Sequence, residues 1–276
     1  MTDRYAVIGN PIAQSKSPLI HGMFAKATGQ DLEYTRIEGP TDTPDGFART
    51  VRAFRDAGGR GMNVTAPFKL QAYEMADVRS ERATQAGAVN ALKFEAGRIA
   101  ADNFDGVGLV NDIQRNLGLA MAGKRVLLLG AGGAAHGVEL PFLEQGLAQL
   151  VIANRTVWKA HEMAQHFASR YPVRGAGYAD IGHQRFDLVV NATSASLHGE
   201  LPPVSPQVFG PDSLAYELVY GKGLTPFLRL AQSAGVTRLA DGVGMLVEQA
   251  AEAFAWWRGV RPETRPVIEA LTVPLA

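Results

Sequence analysis

The stretch that decides the fold is GKRVLLLGAGGAAHG, residues 123–137. Arg125–Leu129 is apolar after its first residue and reads as a strand buried on both faces. The loop that follows, Gly130-Ala131-Gly132-Gly133-Ala134-Ala135, has the G-x-G-x-x-A spacing of a dinucleotide-binding turn, and a helix follows it. Gly130 permits the tight turn, Gly132 lets backbone N–H groups approach a pyrophosphate, and Ala135 is small enough for close helix–strand packing. The pyrophosphate is expected on the positive end of that helix, against the Gly130–Ala134 backbone. Pro141 falls inside the helix and is expected to kink it or end it early.

The end of the next strand selects the cofactor. Leu150-Val-Ile-Ala runs into Asn154-Arg155-Thr156, without the carboxylate that would bond a ribose 2′-OH. A guanidinium and a hydroxyl suit a 2′-phosphate instead, and Lys159 adds charge, so NADP is the expected cofactor.

Outward from this unit the same alternation continues. Val151–Ala153, Asp187–Val190 and Leu214–Val219 read as strands and Val157–Ser169 as a helix. Upstream, Arg4–Gly9, Leu32–Glu38 and Arg60–Thr65 read as strands, with helices at Ser17–Thr28 and Pro44–Ala57. Val89–Phe94 and Arg98–Ala101 add two strands around a turn at Glu95–Gly97. Met245–Trp257 is a strong helix, and a shorter one follows from Pro262. The pattern predicts an α/β chain with parallel sheets covered on both faces. Two domains are expected: residues 1–105 plus 241–276, and a Rossmann-type NADP-binding domain over 106–240.

Composition narrows the function classes. Among 276 residues, 27 Lys and Arg balance 27 Asp and Glu, so no overall basic field gathers nucleic acid or an anionic membrane. With no cysteine, disulfides, thiolate nucleophiles and zinc–thiolate sites are excluded. No apolar run approaches the ~20 residues a membrane helix needs, and the N-terminus lacks a signal-peptide pattern. A cytoplasmic enzyme of small molecules is expected, as a monomer or homodimer. HEMAQH, residues 161–166, imitates a zinc helix, but its histidines are five apart and point about 140° away from each other. It is assigned to an exposed face, and no metal site is expected.

GMNVTAPFKL, residues 61–70, carries a second question. Lys69 has no acidic residue within four positions on either side and stands at an expected helix start. Locally it is a solvated surface lysine or a proton donor.

The wider chain bears on this. GNPIAQSKSP (9–18), NVTAPFK (63–69), GAVNAL (87–92), DNFDG (102–106), GAGGAA (130–135), NRT (154–156), NATSAS (191–196), TPFL (225–228) and DGVGMLVEQAAEAF (241–254) follow one another in order. In these motifs the chain resembles the shikimate dehydrogenase family over nearly its whole length. The resemblance implies a substrate domain beside a Rossmann-type NADP domain, with C-terminal helices returning to the first. It implies NADPH-dependent reduction of 3-dehydroshikimate to shikimate, in aromatic amino-acid (chorismate) biosynthesis. By motif position, Ser15 and Ser17 would bind the substrate carboxylate and Tyr220 its carboxylate end. Thr65, Asn90 and Gln249 would contact the ring hydroxyls, with Asp105 beside them. Lys69 and Asp105 would be the catalytic pair, and Leu218 and Gly242 would lie by the nicotinamide. Ser17 also reads as the N-cap before Pro18.

The chemistry fits those residue types. Hydride addition to a ketone leaves an alkoxide that must gain a proton, and Lys69 supplies a donor that Asp105 can hold. Burial alone lowers a lysine's pKa and a neighbouring carboxylate opposes that fall, so its resting charge is open at this level. Some positions depart from the family pattern: Gln14 stands for His, Phe104 for Thr beside Asp105, Glu217 and Leu218 for Asp and Met, and Ser196 and His198 for Gly and Ser. None removes a proposed catalytic group. A quinate/shikimate enzyme with broader substrate or NAD use is the nearest rival, and a non-catalytic NADP sensor the remote one.

Overall fold

The computed structural model describes residues 2–275 and comprises two compact units. Of the described residues, the first holds 2–108 and 246–270, the second 109–245 and 271–275.

In the first unit the chain runs β1 (Asp3–Gly9), α1 (Ser17–Thr28), β2 (Leu32–Glu38), α2 (Gly46–Asp56), β3 (Gly59–Val64), α3 (Lys69–Met75), β4 (Val78–Arg79), α4 (Glu81–Ala86), β5 (Ala91–Glu95) and β6 (Arg98–Asp102). α5 (Asp105–Asn111) follows. The strands form one sheet in the order β2-β1-β3-β5-β6-β4. Strand alternation sorts the core. Ala6 and Ile8 of β1 join Met62 and Val64 of β3 in one cluster with Phe47, Val51 and Phe54, the apolar stripe of α2. Tyr5, pointing the other way, stacks on Trp257 with ring centroids 4.8 Å apart.

This sheet is not purely parallel, which corrects the sequence expectation. β1, β2 and β3 run parallel, but β5 is antiparallel to β3 and forms a hairpin with β6. The hairpin turn has two residues, Ala96 and Gly97, both at positive φ (50° and 77°), the geometry that matches the twist of paired strands.

The second unit runs β7 (Arg125–Leu129), α6 (Gly133–Leu143), β8 (Gln149–Ala153), α7 (Val157–Gln165), β9 (Val173–Ala176), β10 (Phe186–Asn191), β11 (Phe209–Glu217), α8 (Pro226–Ser233) and β12 (Arg238–Ala240). Here every ladder is parallel, in the order β12-β11-β10-β7-β8-β9. Counted from β7 this is the doubly wound dinucleotide-binding order, whose winding reverses between β7 and β10. Val126–Leu129 are fully buried, and their alternation feeds two cores. Val126 and Leu128 pack with Val138 and Phe142 of α6, while Leu127 and Leu129 pack with Phe227 and Leu228 of α8. Each such side chain stabilises the fold by roughly 1.5–3 kcal/mol.

The chain closes with α9 (Val243–Arg258) and α10 (Arg265–Leu271). One further detail differs from the sequence reading. Ser17 is the first helical residue of α1 and not its N-cap; Lys16 holds that place, and the Ser15 hydroxyl accepts from the Ser17 N–H at 3.3 Å. α6 runs through Pro141 and stops two residues later, at Leu143.

α6 also buries Glu139, 3% exposed, with Oε1 lacking any hydrogen-bond partner among the described residues. Desolvation lifts this carboxyl from 4.5 to about 8. Below pH 4.5 both folded and unfolded chains hold the proton, so nothing is lost. From there to about pH 8 only the folded state keeps it, and stability falls as pH rises. Glu139→Gln is therefore expected to raise Tm by a few degrees at pH 8 and by much less at pH 5, read by thermal melts at the two pH values. An equal shift at both would contradict the buried-acid account.

Candidate active site

Parallel strands present functional groups at their C-terminal ends, and in the first unit these are the ends of β1 and β3. β1 ends at Gly9 and leads through Asn10 and Pro11 to the Ser15–Ser17 turn; β3 leads through Thr65, Ala66 and Pro67 to Lys69. Asn10-Pro11 and Ala66-Pro67 are both cis peptides, and the Asn10 N–H donates to the Ala66 carbonyl at 3.0 Å. The Thr65 N–H donates to Ile8 O at 2.9 Å, which joins the two strand ends. Lys69 opens α3, as its sequence position suggests.

Asp105 opens α5 just beyond β6, and its carboxylate is held on both oxygens. Oδ2 lies 2.5 Å from Lys69 Nζ, and Oδ1 accepts from Asn90 Nδ2 at 2.8 Å. The ion pair is half-buried, with the lysine side chain 35% and the aspartate 15% exposed. Asn90 is buried and fully engaged. Its amide also reaches Gln249 Oε1 at 3.2 Å, and its Oδ1 accepts the Phe104 N–H at 2.9 Å. Gln249, on α9, comes this close because Gly108 faces it: a Cβ there would lie 2.6 Å from the Gln249 backbone nitrogen. Phe104, the departure beside Asp105, is buried against Ala91 and Ala253 and meets Trp256 edge-on at 5.7 Å.

A buried network behind these groups has no signature in the sequence. Asn63, the first residue of the NVTAPFK motif, donates to the Asn90 carbonyl at 3.2 Å. Its Oδ1 accepts from the Tyr34 hydroxyl at 2.7 Å and lies 3.1 Å from His21 Nε2. Burial drops the His21 imidazole to about 3, so it is neutral, with its Nε2–H facing Asn63. Its ring stacks on Tyr34 at 4.2 Å and 5°. The network links His21 and Tyr34 to the Lys69–Asp105 pair through Asn63 and Asn90.

In the second unit the glycine loop stands at the winding reversal. Gly130 has φ +108°, and its N–H donates to Ala153 O at 2.7 Å. A Cβ on Gly132 or Gly133 would meet nothing within 4 Å, so the backbone there faces open space. That space is a cleft of about 570 Å³ lined by Gly130–Ala134, Asn154, Arg155, Leu218 and Val219. Sequence reading had not singled out the rest of its wall: Tyr178, Ala192–Ala195, Leu197 and Glu200–Pro203. Only Ala192–Ala195 fell in a quoted motif; Tyr178 had no local signal. Arg155 is exposed and makes no hydrogen bond or ion pair among the described residues, while Tyr178 stands near enough to feel its charge. Thr156 and Lys159 do not line the cleft, and Lys159 lies instead 5.6 Å from the Trp158 ring. Gly242 is also outside the lining; a Cβ on it would lie 2.2 Å from the Leu218 carbonyl oxygen, so only glycine fits. Tyr220 belongs to this unit and is 38% exposed. His161 and His166 are exposed, on α7 and just past its end.

Residues 7–92 match the shikimate dehydrogenase substrate binding domain, residues 112–198 the shikimate/quinate 5-dehydrogenase family, and residues 242–272 the shikimate 5'-dehydrogenase C-terminal domain. The NADP(+) shikimate dehydrogenase of Nitrosospira multiformis is 59% identical over 268 residues, 97% of this chain and 96% of its own. The chain belongs to the shikimate dehydrogenase family.

Solved structures agree with this fold. Shikimate 5-dehydrogenase of Thermus thermophilus, in complex with NADP(H) and shikimate, superposes with a TM-score of 0.86 at 30% identity, covering 98% of each chain. The Ael1 enzyme of Pseudomonas putida reaches 0.95 at 60% identity, covering all of both chains. For a shikimate dehydrogenase the cofactor is NADP, and the second unit fits it. The open backbone at Gly132 and Gly133 suits a pyrophosphate, and just past the end of β8 stands the Arg155 guanidinium, unpaired among the described residues. Among the described residues no helix is long and apolar enough to cross a membrane.

Gly132→Ala separates folding from binding. With nothing to collide with, the methyl is expected to leave Tm within about a degree. It occupies the approach to the loop amides, so NADPH affinity is expected to fall about tenfold or more, measured by fluorescence titration. Unchanged affinity would remove the cradle assignment.

Proposed function

We propose that this protein is an NADPH-dependent shikimate dehydrogenase that interconverts 3-dehydroshikimate and shikimate, with Lys69 and Asp105 handling the proton. The observation that carries the reading is the Lys69 Nζ to Asp105 Oδ2 contact of 2.5 Å, fixed from behind by Asn90.

NADPH supplies the hydride. As hydride reaches the ketone carbon, negative charge grows on the carbonyl oxygen, and Lys69 Nζ gives that oxygen a proton. Asp105 holds the ammonium through Oδ2 and is kept from rotating by the bond from Asn90 to Oδ1. Ser15 and Ser17 take the substrate carboxylate, with Tyr220 at that end. Thr65, Asn90 and Gln249 take the ring hydroxyls. In the second unit Gly130–Ala134 take the pyrophosphate and Asn154 and Arg155 the 2′-phosphate end, with Thr156 and Lys159 following outside the cleft lining. Leu218 and Gly242 flank the nicotinamide. The first unit thus serves as substrate domain and the second as NADP domain. We assign the enzyme to the cytoplasm, as a monomer or homodimer.

Lys69→Ala is expected to lower kcat by ~10²-fold or more while KM for shikimate changes little, as for a group acting mainly in the transition state. Wild-type kcat in that variant would refute the proton-transfer role. Arg155→Ala is expected to raise KM for NADP⁺ roughly tenfold or more and to leave NAD⁺ use almost unchanged. Equal losses for both would rule out the 2′-phosphate contact. Crossing shikimate and quinate with NADP⁺ and NAD⁺ in steady-state assays tests the whole reading, and shikimate with NADP⁺ is expected to have the highest kcat/KM.

A further inference from the structure

The wall of the NADP cleft is rooted in one buried carboxylate. Glu217, the last residue of β11, is fully buried, and none of its hydrogen-bond partners is a cation. Its Oε2 accepts from Ser196 Oγ at 2.5 Å, Asn191 Nδ2 at 2.9 Å and Thr225 Oγ1 at 3.1 Å. Oε1 accepts from the Val219 N–H at 3.2 Å. All four partners are donors, so the arrangement is matched to a carboxylate and not to a neutral amide. Burial pushes this group's pKa up, and the four donors act against that rise.

These partners lead directly to the cleft. Asn191 Oδ1 accepts from both the N–H and the hydroxyl of Thr193, whose hydroxyl in turn accepts from the Ala195 N–H. Thr193 and Ala195 line the cleft on one side, and Leu218 and Val219 line it on another. The Leu218 N–H also donates to the Asn191 carbonyl at 3.1 Å. Thr225 caps α8 through the Leu228 N–H, which leaves its hydroxyl proton for Glu217. Ser196 accepts from Asn191 Nδ2 at 3.2 Å and donates its own O–H to Glu217.

We propose that Glu217, with Ser196 as its partner, is a positioning residue for NADP: it holds the 192–197 loop and the Leu218–Val219 segment in the spacing the cofactor needs. It touches no reacting atom and acts through the backbone of both walls. The inference rests on the second unit's cleft being the NADP site.

The test uses full-length protein. Glu217→Gln keeps the shape but turns an NH₂ toward one of four donors. NADPH dissociation constants from fluorescence titration are expected to weaken at least tenfold, with KM for NADP⁺ rising in step. KM for shikimate, whose proposed contacts other than Tyr220 lie in the other unit, is expected to rise much less than KM for NADP⁺. Ser196→Ala keeps the carboxylate and three of its donors, so it is expected to fold even where Glu217→Gln does not, and to weaken NADPH about 3- to 10-fold. In the double variant the Ser196→Ala effect is expected to shrink, because its partner is gone. Wild-type NADPH affinity in folded Ser196→Ala, or equal rises in both KM values, would overturn the proposal. Failure of the wild-type protein to bind NADPH would instead overturn the cofactor site itself.

Discussion

Parallel strands offer functional groups at one edge only, and the candidate chemistry of this chain depends on that constraint. A strand followed by a crossover helix has its C-terminal end free, and the loop there is the place where side chains and backbone amides converge. β1 and β3 deliver Ser15, Ser17, Thr65 and Lys69 in this way, and β7, β8, β10 and β11 deliver walls of the cleft beside the glycine loop. The reversed strand of the first sheet obeys the same rule from the other direction. Because β5 runs antiparallel to β3, its start lies at the edge where β3 ends, so Asn90 arrives beside Asp105 at the end of β6. The two-residue turn at Ala96-Gly97 thereby sets the position of an amide at the far end of the hairpin.

Much of this was legible in the sequence. Ser17–Thr28, Leu32–Glu38 and Arg125–Leu129 are elements whose ends coincide with the reading, because clear period or continuous apolarity leaves little choice. Short elements escaped: α4 has six residues and β4 two, too few for either period to register. The pairing of Lys69 with Asp105 spans 36 positions, and only family resemblance pointed to it. Asn63, Tyr34 and His21 were missed for a related reason. Each looks ordinary alone, and a buried polar network becomes visible only when its members meet.

Departures from the family pattern read one at a time were similarly opaque. Glu217 and Ser196 each depart from the family pattern, 21 positions apart, and the structure joins them by a 2.5 Å hydrogen bond. Tyr216, next to Glu217, faces away from that network. Its hydroxyl donates to Asp112 Oδ2 at 2.7 Å and accepts from the Met245 N–H at 3.2 Å. One strand end thus anchors walls of the cleft on one face and the start of α9 on the other, through adjacent side chains of opposite direction.

Gly108 carries a different kind of consequence. The reach of Gln249 to Asn90 depends on two backbones touching where a methyl group would overlap both a main-chain nitrogen and a Cβ. Most contacts around a reactive centre vary by degrees, since a slightly larger or smaller side chain shifts its neighbours a little. A contact that depends on an absent atom has no intermediate form. Sequence drift can tune the residues that surround the lysine, yet at this crossing it meets a step with no smaller size beneath it. The spacing of the amide is quantised by the one side chain that is only a hydrogen.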